Sequence, residues 1–485
     1  DLGTSGVKAV LVGEDQEMVA QAGVPLQVNR PRPLFSEQEP EHWWRATKAA
    51  VAALRAEHSK ALAAVRGIGL SGQMHGATLL DKSDRVLRPA ILWNDGRCGA
   101  ECAELEEKVP ESRRITGNLA MPGFTAPKLL WVAKHEPDVF RRVSKVLLPK
   151  DYIRLRLSGE YVSDMSDSAG TLWLDVGRRD WSDTMLAATG LTRDHMPRLV
   201  EGSEPGAELR AELAAEWGME RRVVIAGGAG DNAAGAAGVG TVVPGRAFLS
   251  LGTSGVYFVA NERFSPNPEQ AVHAFCHCLP GTWHQMSVIL SAASCLNWVT
   301  HLTGAKSESA LLAEVEAADT GAEAVTFLPY LSGERTPHNN PHARGVFFGL
   351  THGTDRAALG RAALEGVAFA FADGEDALLA AGARIDTVSV IGGGARSALW
   401  LRILASVLNR PLTYHAGGEV GPAFGAARLA ILAVSGGDPV VVCTPPAVDR
   451  VVEPVAKLTG AYREKRARFQ RLYAALKSEF AGDAA

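Results

Sequence analysis

The chain has 485 residues, a length that favours two domains over a single hydrophobic core. Its hydrophobic share of 46% and charged share of 21% are ordinary for a globular protein, and its net charge is only −4. Because the sequence has no basic block and no apolar run of membrane-spanning length, neither nucleic acid nor a membrane is an expected partner.

The first predicted element is a glycine-bracketed turn that occurs twice. Residues 2–7 read Leu-Gly-Thr-Ser-Gly-Val, and the same six letters return at residues 251–256. A repeat of this kind at mid-chain indicates an internal duplication. Each copy runs into an apolar stretch, which predicts the bend of a β-hairpin.

Two such turns facing each other across a cleft would hold a polyphosphate. Glycine lets the backbone approach a ligand, and successive amide N–H groups form an anion-binding nest. The candidate contacts are Gly3, Thr4, Ser5 and Lys8 in the first copy and Gly252, Thr253 and Ser254 in the second. Only the first copy begins with a carboxylate, so Asp1 is predicted to hold Mg²⁺ directly or through water. The alternative is a pair of ordinary hairpin turns.

Duplicated Asp-x-Gly-Thr-type turns resemble those of the actin, Hsp70 and sugar-kinase superfamily, and the chain is similar throughout to the FGGY carbohydrate kinases. The resemblance implies an α/β fold of two ribonuclease-H-like (actin-like ATPase) domains with a central nucleotide and sugar cleft. It implies that a first domain over 1–235 carries the sugar-binding site and the first phosphate turn. The second, over 236–485, would carry the second phosphate turn and the adenosine site. It also implies a strand before Asp1, so a few apolar residues are expected to precede it.

A predicted helix at 39–59 and a strand at 65–70 lead into a polar loop at 71–78. The resemblance to the family implies that this loop binds the sugar. Met74 and His75 stand where glycerol kinases have Arg-Glu, and the Met-His pair is typical of the branch that phosphorylates D-xylulose. Met74 would pack on the carbon skeleton, and His75 would hydrogen-bond a hydroxyl or the ketose carbonyl.

Three further segments resemble family motifs. In 91–97, Trp93 offers a flat wall for the sugar, while Asp95 and Arg97 either pair with each other or contact hydroxyls. The signature 123–131 reads as structural, and its Lys128 is not expected to be catalytic. The stretch 163–170 predicts a capped turn, with contact to substrate as the alternative.

The strongest candidate for catalysis follows a predicted strand and a glycine-rich turn. Phosphoryl transfer needs an acceptor for the hydroxyl proton, and Asp231 at a strand end can be that general base. The resemblance places the family's base in this motif and implies that Asn232 orients the sugar. The alternative is that Asp231 is only a helix N-cap.

In the second half, a strand at 387–391 runs into Gly-Gly-Gly-Ala-Arg-Ser and then a helix. The resemblance makes this the adenosine site, with contacts from Gly393, Gly394, Ala395 and Ser397. A long buried helix is predicted from 355 to 380. The helix that opens at 421–427 is rich in small residues and is expected to pack on the nucleotide side, and 457–480 predicts a terminal amphipathic helix. The loop 327–341 has no assigned role.

The six cysteines have no disulfide-framework spacing, which suits a reducing cytoplasm. Cys276, His277 and Cys278 form a conceivable metal cluster, but buried structural thiols are the preferred interpretation.

Taken with the resemblance, the sequence predicts ATP- and Mg²⁺-dependent phosphorylation of D-xylulose to D-xylulose 5-phosphate, where xylose joins the pentose phosphate pathway. A homodimer is a family expectation. The alternatives are a kinase of L-ribulose, glycerol, gluconate or a deoxyketose, and an Hsp70- or actin-like ATPase that works by binding partners.

Overall fold

The computed structural model describes residues 1–318, 325–415 and 421–482, so the end of the second domain predicted at residue 485 lies outside the described residues. The elements of the first half, in chain order, are β1 (Gly6–Val12), β2 (Met18–Pro25), β3 (Glu37–Gln38), α1 (Pro40–Ala63), β4 (Gly67–Ile68), β5 (Ser71–Gly72), β6 (Thr78–Leu80), β7 (Ala90–Ile91), α2 (Gly99–Lys108), α3 (Ser112–Thr116), α4 (Thr125–His135), α5 (Pro137–Phe140), β8 (Lys145–Leu147), α6 (Pro149–Ser158), β9 (Val162–Asp164), α7 (Met165–Ala169), β10 (Leu174–Asp175), β11 (Asp180–Trp181), α8 (Asp183–Ala188), β12 (Arg198–Val200), β13 (Pro205–Glu208), α9 (Ala211–Trp217), β14 (Val224–Ala226), β15 (Ala229–Gly230) and α10 (Asp231–Val239).

The elements of the second half are β16 (Arg246–Leu251), β17 (Gly255–Asn261), β18 (His273–Cys276), β19 (Trp283–Ile289), α11 (Ala293–Leu302), α12 (Glu308–Ala317), β20 (Thr326–Leu328), β21 (Val346–Phe348), α13 (Arg356–Ala380), β22 (Thr387–Ile391), α14 (Ala398–Leu408), β23 (Leu412–His415), α15 (Pro422–Ser435), α16 (Pro439–Val442), β24 (Val448–Val452) and α17 (Ala456–Gly482). Short 3-10 helices lie at Arg193–His195, Pro268–Gln270 and Gly393–Arg396.

Both copies of the repeated turn are hairpin bends, as predicted. The first turn closes with a hydrogen bond from Gly3 N–H to the Gly6 carbonyl, and Leu2 before the turn forms an antiparallel bridge with Val7 after it. The second turn joins β16 to β17, which pair antiparallel up to Leu251 and Gly255. The same local chemistry therefore gives the same local structure in both halves.

Three polar segments meet at one edge of the first half. Leu2 bridges to Val7 on one side and to Gly72 on the other. The strand β5 pairs in parallel with β15, which ends at Gly230. The first turn, the loop at 71–78 and the turn before α10 are thus held side by side by backbone hydrogen bonds.

The second half is built on a seven-stranded sheet with the order β18-β19-β17-β16-β22-β23-β24. The strands β16 and β22 are parallel, with Ser250 opposite Ile391. Because parallel strands end at the same edge, the second turn and the loop at 392–397 lie together. The predicted long helix is α13, which is buried along most of its length and begins with Asp355 as its N-cap.

The small-residue helix α15 packs on α10 and on the strands β14, β1 and β4. A Cβ on Gly425 would lie 1.7 Å from the Ala234 carbonyl, so the two helices cross in backbone contact. The close packing predicted for 421–427 is present at this contact, and its position on the nucleotide side stays a prediction. Small residues predict a close approach, but they do not identify the element that approaches. The predicted boundary at 235/236 falls inside α10 and stays a prediction.

An apolar groove of about 680 Å³ lies between β1 and β4, lined by side chains that include Val10, Leu62, Ile68 and Trp217. Asp1, Lys8 and Ser71 also line this groove, so it adjoins the first turn. The expectation that a strand precedes Asp1 stays a prediction. Within the described residues, no helix is both long enough and apolar enough to cross a membrane.

All six cysteines are buried free thiols, as preferred from the sequence. Cys276, His277 and Cys278 are fully buried, and burial lowers the pKa of His277 to about 4. In the part of the chain that the structure describes, no three His, Cys, Asp or Glu side chains are grouped to hold a metal ion.

Candidate active site

Asp231 is the first residue of α10, and Gly230 before it is the N-cap. Its Oδ1 accepts hydrogen bonds from the backbone N–H of Asn232 at 2.7 Å and from Asn232 Nδ2 at 3.0 Å. Burial raises the pKa of Asp231 to about 6, although the two Asn232 bonds favour the charged form. A carboxylate with a pKa close to neutral is suited to accept a proton near pH 7.

A buried arginine holds the turn before Asp231. Arg154, on α6, donates from Nη1 to the Ala226 carbonyl at 2.7 Å and from Nη2 to the Gly227 carbonyl. No motif in the sequence singled out this residue. A signal was present, since Lys150, Asp151 and Arg154 are buried charged residues in a short helix whose remaining residues are mostly apolar.

The turn is also held from the segment predicted to be a capped turn. Asp164 is the N-cap of α7 and accepts from Ser166 Oγ, which in turn accepts the Gly230 N–H at 3.2 Å. Lys150 Nζ lies 2.8 Å from Asp164 Oδ1 and 3.1 Å from Asp167 Oδ2. The capped turn at 163–170 therefore positions the backbone next to Asp231.

Met74 and His75 lie beside this turn. Met74 is only 6% exposed and packs closely on the glycine Gly230, where a Cβ would lie 2.9 Å from Met74 Cγ. His75 Nδ1 lies 2.6 Å from the Gly170 carbonyl, so Nδ1 carries the proton, because a carbonyl only accepts. The structure thus places Met74 against the turn before Asp231 and His75 against Gly170, at the end of α7.

The protonation of His75 limits what it can bind. Burial, together with the charges of Lys128 and Arg335, lowers the pKa of His75 to about 3, so the ring is neutral. With the proton on Nδ1, Nε2 presents a lone pair. It can accept from a hydroxyl but cannot donate to a carbonyl. Of the two sequence alternatives, the hydroxyl is favoured.

The first turn is hydrogen-bonded to the sugar loop through Thr4. Thr4 Oγ1 donates to Gln73 Oε1 at 2.9 Å and accepts from Trp93 Nε1 at 2.9 Å. Trp93 remains 40% exposed, as a wall of the pocket should be. Asp95 and Arg97, by contrast, pair with each other through several hydrogen bonds while Asp95 is 2% exposed, so the structure shows their pairing.

Asp1 lies at the start of the first turn, where its Oδ1 accepts from Ser71 Oγ at 2.9 Å. It is partly exposed, as are Gly3, Thr4 and Lys8, while Ser5 is exposed. Mg²⁺ is commonly held by one or two carboxylates together with substrate phosphates and water. A single accessible carboxylate next to a turn of amide donors fits that requirement.

On the other side, Thr253 and Ser254 are exposed, and Gly252 is partly so. Gly392, with a φ of 92°, approaches this turn so closely that a Cβ would lie 2.8 Å from the Leu251 carbonyl. Only glycine fits there, and it brings the predicted adenosine loop against the second turn.

Within that loop, the four predicted contacts differ in accessibility. Gly393 is exposed and Gly394 is partly exposed. The Ala395 side chain is fully buried, and Ser397 Oγ accepts from the Trp400 N–H as the N-cap of α14. The two glycines therefore remain as the accessible surface, and the side chains of Ala395 and Ser397 support the fold.

The loop at 327–341, which had no assigned role, reaches the sugar side. Arg335 Nη1 donates to His273 Nε2 at 3.2 Å, and His273 Nδ1 donates to Asn118 Oδ1 at 3.0 Å. The His273 ring stacks on Phe275 and meets Phe124 edge-on, and Phe124 meets His75 edge-on. Residues from both halves thus pack together in one buried cluster against His75.

Comparisons with known proteins agree with this architecture. The model for the FGGY family of carbohydrate kinases, N-terminal domain, matches residues 1–238, and that for the C-terminal domain matches 247–434. The chain is 58% identical to a xylulose kinase of Escherichia coli (strain K12) over 98% of its length and 97% of the relative's. A xylulose kinase of Klebsiella pneumoniae is 57% identical, with 98% of each chain covered.

Solved structures give the same result. The crystal structure of a xyloylose kinase from Brucella ovis has a TM-score of 0.96 at 57% identity, covering 99% of this chain and 98% of that one. A xylulose kinase from Rhodospirillum rubrum has a TM-score of 0.92 at 30% identity, covering 99% and 98%. The predicted fold of two actin-like ATPase domains is confirmed. The chain belongs to the FGGY family of carbohydrate kinases.

Proposed function

We propose that the chain transfers the γ-phosphoryl group of ATP to the terminal hydroxyl of D-xylulose, giving D-xylulose 5-phosphate and ADP. The observation that carries this proposal is Met74 packed against the turn before Asp231, with His75 next to it in the same loop, in a chain 58% identical to a xylulose kinase. A thioether beside the carbon skeleton and an imidazole that accepts from a hydroxyl suit a polyol.

In the proposed reaction, Asp231 accepts the proton of the attacking hydroxyl while the new O–P bond forms and the bond to the β-phosphate oxygen breaks. The proton then passes from Asp231 to water. Amide groups of the two turns, at residues 3–5 and 252–254, would align the phosphates for in-line attack. Asn232, held to the Asp231 carboxylate through Nδ2, keeps that carboxylate oriented and offers its carbonyl oxygen to the sugar.

Asp1 would hold Mg²⁺, which neutralises phosphate charge when bound. Gly393 and Gly394 would lie against the adenosine. Six free buried thiols suit a reducing compartment, so we place the reaction in the cytoplasm, where its product joins the pentose phosphate pathway.

The test is the release of ADP from ATP·Mg²⁺ with D-xylulose, L-ribulose, D-ribulose, glycerol, D-gluconate or no sugar. The proposal expects turnover with D-xylulose well above every other condition. Preference for another polyol would keep a sugar kinase but overturn the reading of Met74 and His75. Equal hydrolysis without any sugar would refute sugar phosphorylation itself.

A further inference from the structure

Lys128 lies in the first turns of α4, and its side chain is 0% exposed. Its Nζ donates to the His75 carbonyl at 2.8 Å and to the Gly123 carbonyl at 2.7 Å. Both of these partners are neutral. Burying an ammonium group against neutral carbonyls is unfavourable, and burial lowers the pKa of Lys128 to about 7. An apolar residue would stabilise a helix core better, so the position calls for another explanation.

His75 supplies that explanation, because its backbone is unusual. Its φ is 68°, in the left-handed region that residues other than glycine rarely adopt. Such a conformation persists only where its surroundings hold it. Here the carbonyl of His75 accepts from Lys128 Nζ and also from Thr125 Oγ1 at 3.1 Å.

The ring of His75 is fixed as well. Nδ1 donates to the Gly170 carbonyl, and the ring meets Phe124, the residue before α4, at a centroid distance of 4.8 Å. One end of α4 therefore contacts both the ring of His75, through Phe124, and its carbonyl, through Thr125 and Lys128. The direction of Nε2 follows from the backbone conformation that these contacts impose.

We propose that Lys128 is a positioning residue for sugar recognition, which holds the His75 carbonyl and so aims the Nε2 lone pair at a substrate hydroxyl. This inference rests on the proposed function, in which His75 binds the sugar. Lys128 itself does not touch the reacting atoms. The rival explanation is that Lys128 supports only the packing of α4.

The first experiment compares Lys128→Met with Lys134→Met. Lys134 lies on the same helix, but its side chain is at the surface and pairs with Glu101 and Glu104. Because a hydrogen bond from a charged donor is lost, Lys128→Met is expected to raise KM for D-xylulose about tenfold to hundredfold. KM for ATP should stay within about twofold of wild type in both variants. An equal rise in both KM values would overturn the proposal.

A double-mutant cycle distinguishes positioning from packing. In a His75→Gly background the left-handed backbone carries no strain and there is no ring to aim, so Lys128→Met should change KM for D-xylulose by less than about twofold. If the loss is as large as in the wild-type background, Lys128 does not act through His75 and the proposal fails.

Thr125 offers a second route in case Lys128→Met does not fold. Thr125→Val removes the other donor to the His75 carbonyl at similar volume, and Thr125→Ser keeps the hydroxyl. A selective rise in KM for D-xylulose with Val, restored by Ser, supports the proposal, and no difference between the two counts against it. If the wild type prefers another sugar, the proposed substrate is wrong and the same cycle is measured with that sugar. Hydrolysis without sugar dependence would refute both.

Discussion

Removing the Asn232 side chain should shift the acid limb of the pH profile to higher pH. Asn232 Nδ2 donates to Asp231 Oδ1 at 3.0 Å, and this bond stabilises the charged carboxylate. Asn232→Ala leaves the backbone N–H bond in place and removes only the side-chain bond. A hydrogen bond of about 1 kcal/mol corresponds to about 0.7 pKa unit. From a pKa of about 6 in the wild type, the Asp231 pKa should therefore rise by roughly that amount.

The assay is kcat/KM for D-xylulose between about pH 4.5 and 8.5, because this ratio reports ionisations of the free enzyme. The wild-type acid limb should have its midpoint near pH 6. In Asn232→Ala the loss of activity should be greater at pH 6 than at pH 8, whatever the change in absolute rate. Asn297→Ala, a surface change at a residue that donates to Glu308, is the control and should not move the limb. A limb that stays in place or moves to lower pH would refute the assignment of Asp231 as the titrating base.

Three more variants test the same geometry. Asp231→Asn should lower kcat by about 10²- to 10⁴-fold while the D-xylulose Kd stays within a few-fold, because only the base is removed. The raised pKa of Asp231 means that folding favours its protonated form, so this carboxyl destabilises the fold as pH rises from about 4 to 6 and above. In urea unfolding, Asp231→Asn should thus be about 1–3 kcal/mol more stable than wild type at pH 8, and no more stable than wild type at pH 4. Equal stability of the two proteins at pH 8 would contradict the raised pKa of Asp231. Gly392→Ala should raise KM for ATP about tenfold, because the φ of 92° and the nearby Leu251 carbonyl exclude a Cβ at this position. An unchanged KM for ATP would mean that this loop does not bind the nucleotide. Arg154→Met should lower the free energy of unfolding by about 1–3 kcal/mol and also lower kcat; lost stability with an unchanged kcat would mean that Arg154 supports the fold alone.

The sequence predicted well what local chemistry decides. The two hairpin bends, the cap at Asp164 and the long helix α13 each depend on neighbouring residues, and the structure has them where the pattern placed them. The small residues of α15 also predicted a close approach, but they did not identify α10 as the helix that approaches.

The contacts that hold the candidate site, by contrast, join residues that are far apart in the chain. The tautomer of His75 depends on a carbonyl 95 positions later in the chain, and the turn before Asp231 depends on Arg154, more than 70 positions earlier. A single sequence does not pair such residues. The sequence contained only a weaker signal for these contacts. Lys150 and Arg154 are charged residues in a buried helix, and buried charges are unfavourable unless they have partners.

The duplicated turn shows how surroundings divide two identical segments into different roles. In the first copy, the Thr4 hydroxyl donates to Gln73 and accepts from Trp93, so its side chain is committed to the sugar side. In the second copy, the Thr253 carbonyl accepts from Ser294 Oγ and the Ala292 N–H, while its side chain is exposed. If the two turns bind phosphate as proposed, the same six residues couple the phosphates to the sugar loop in one half and present an exposed hydroxyl to them in the other. If this division is correct, Thr4→Val should raise KM for D-xylulose as well as for ATP, whereas Thr253→Val should affect ATP alone. A sugar KM that responds equally to both changes would remove the argument that the two copies have diverged in role.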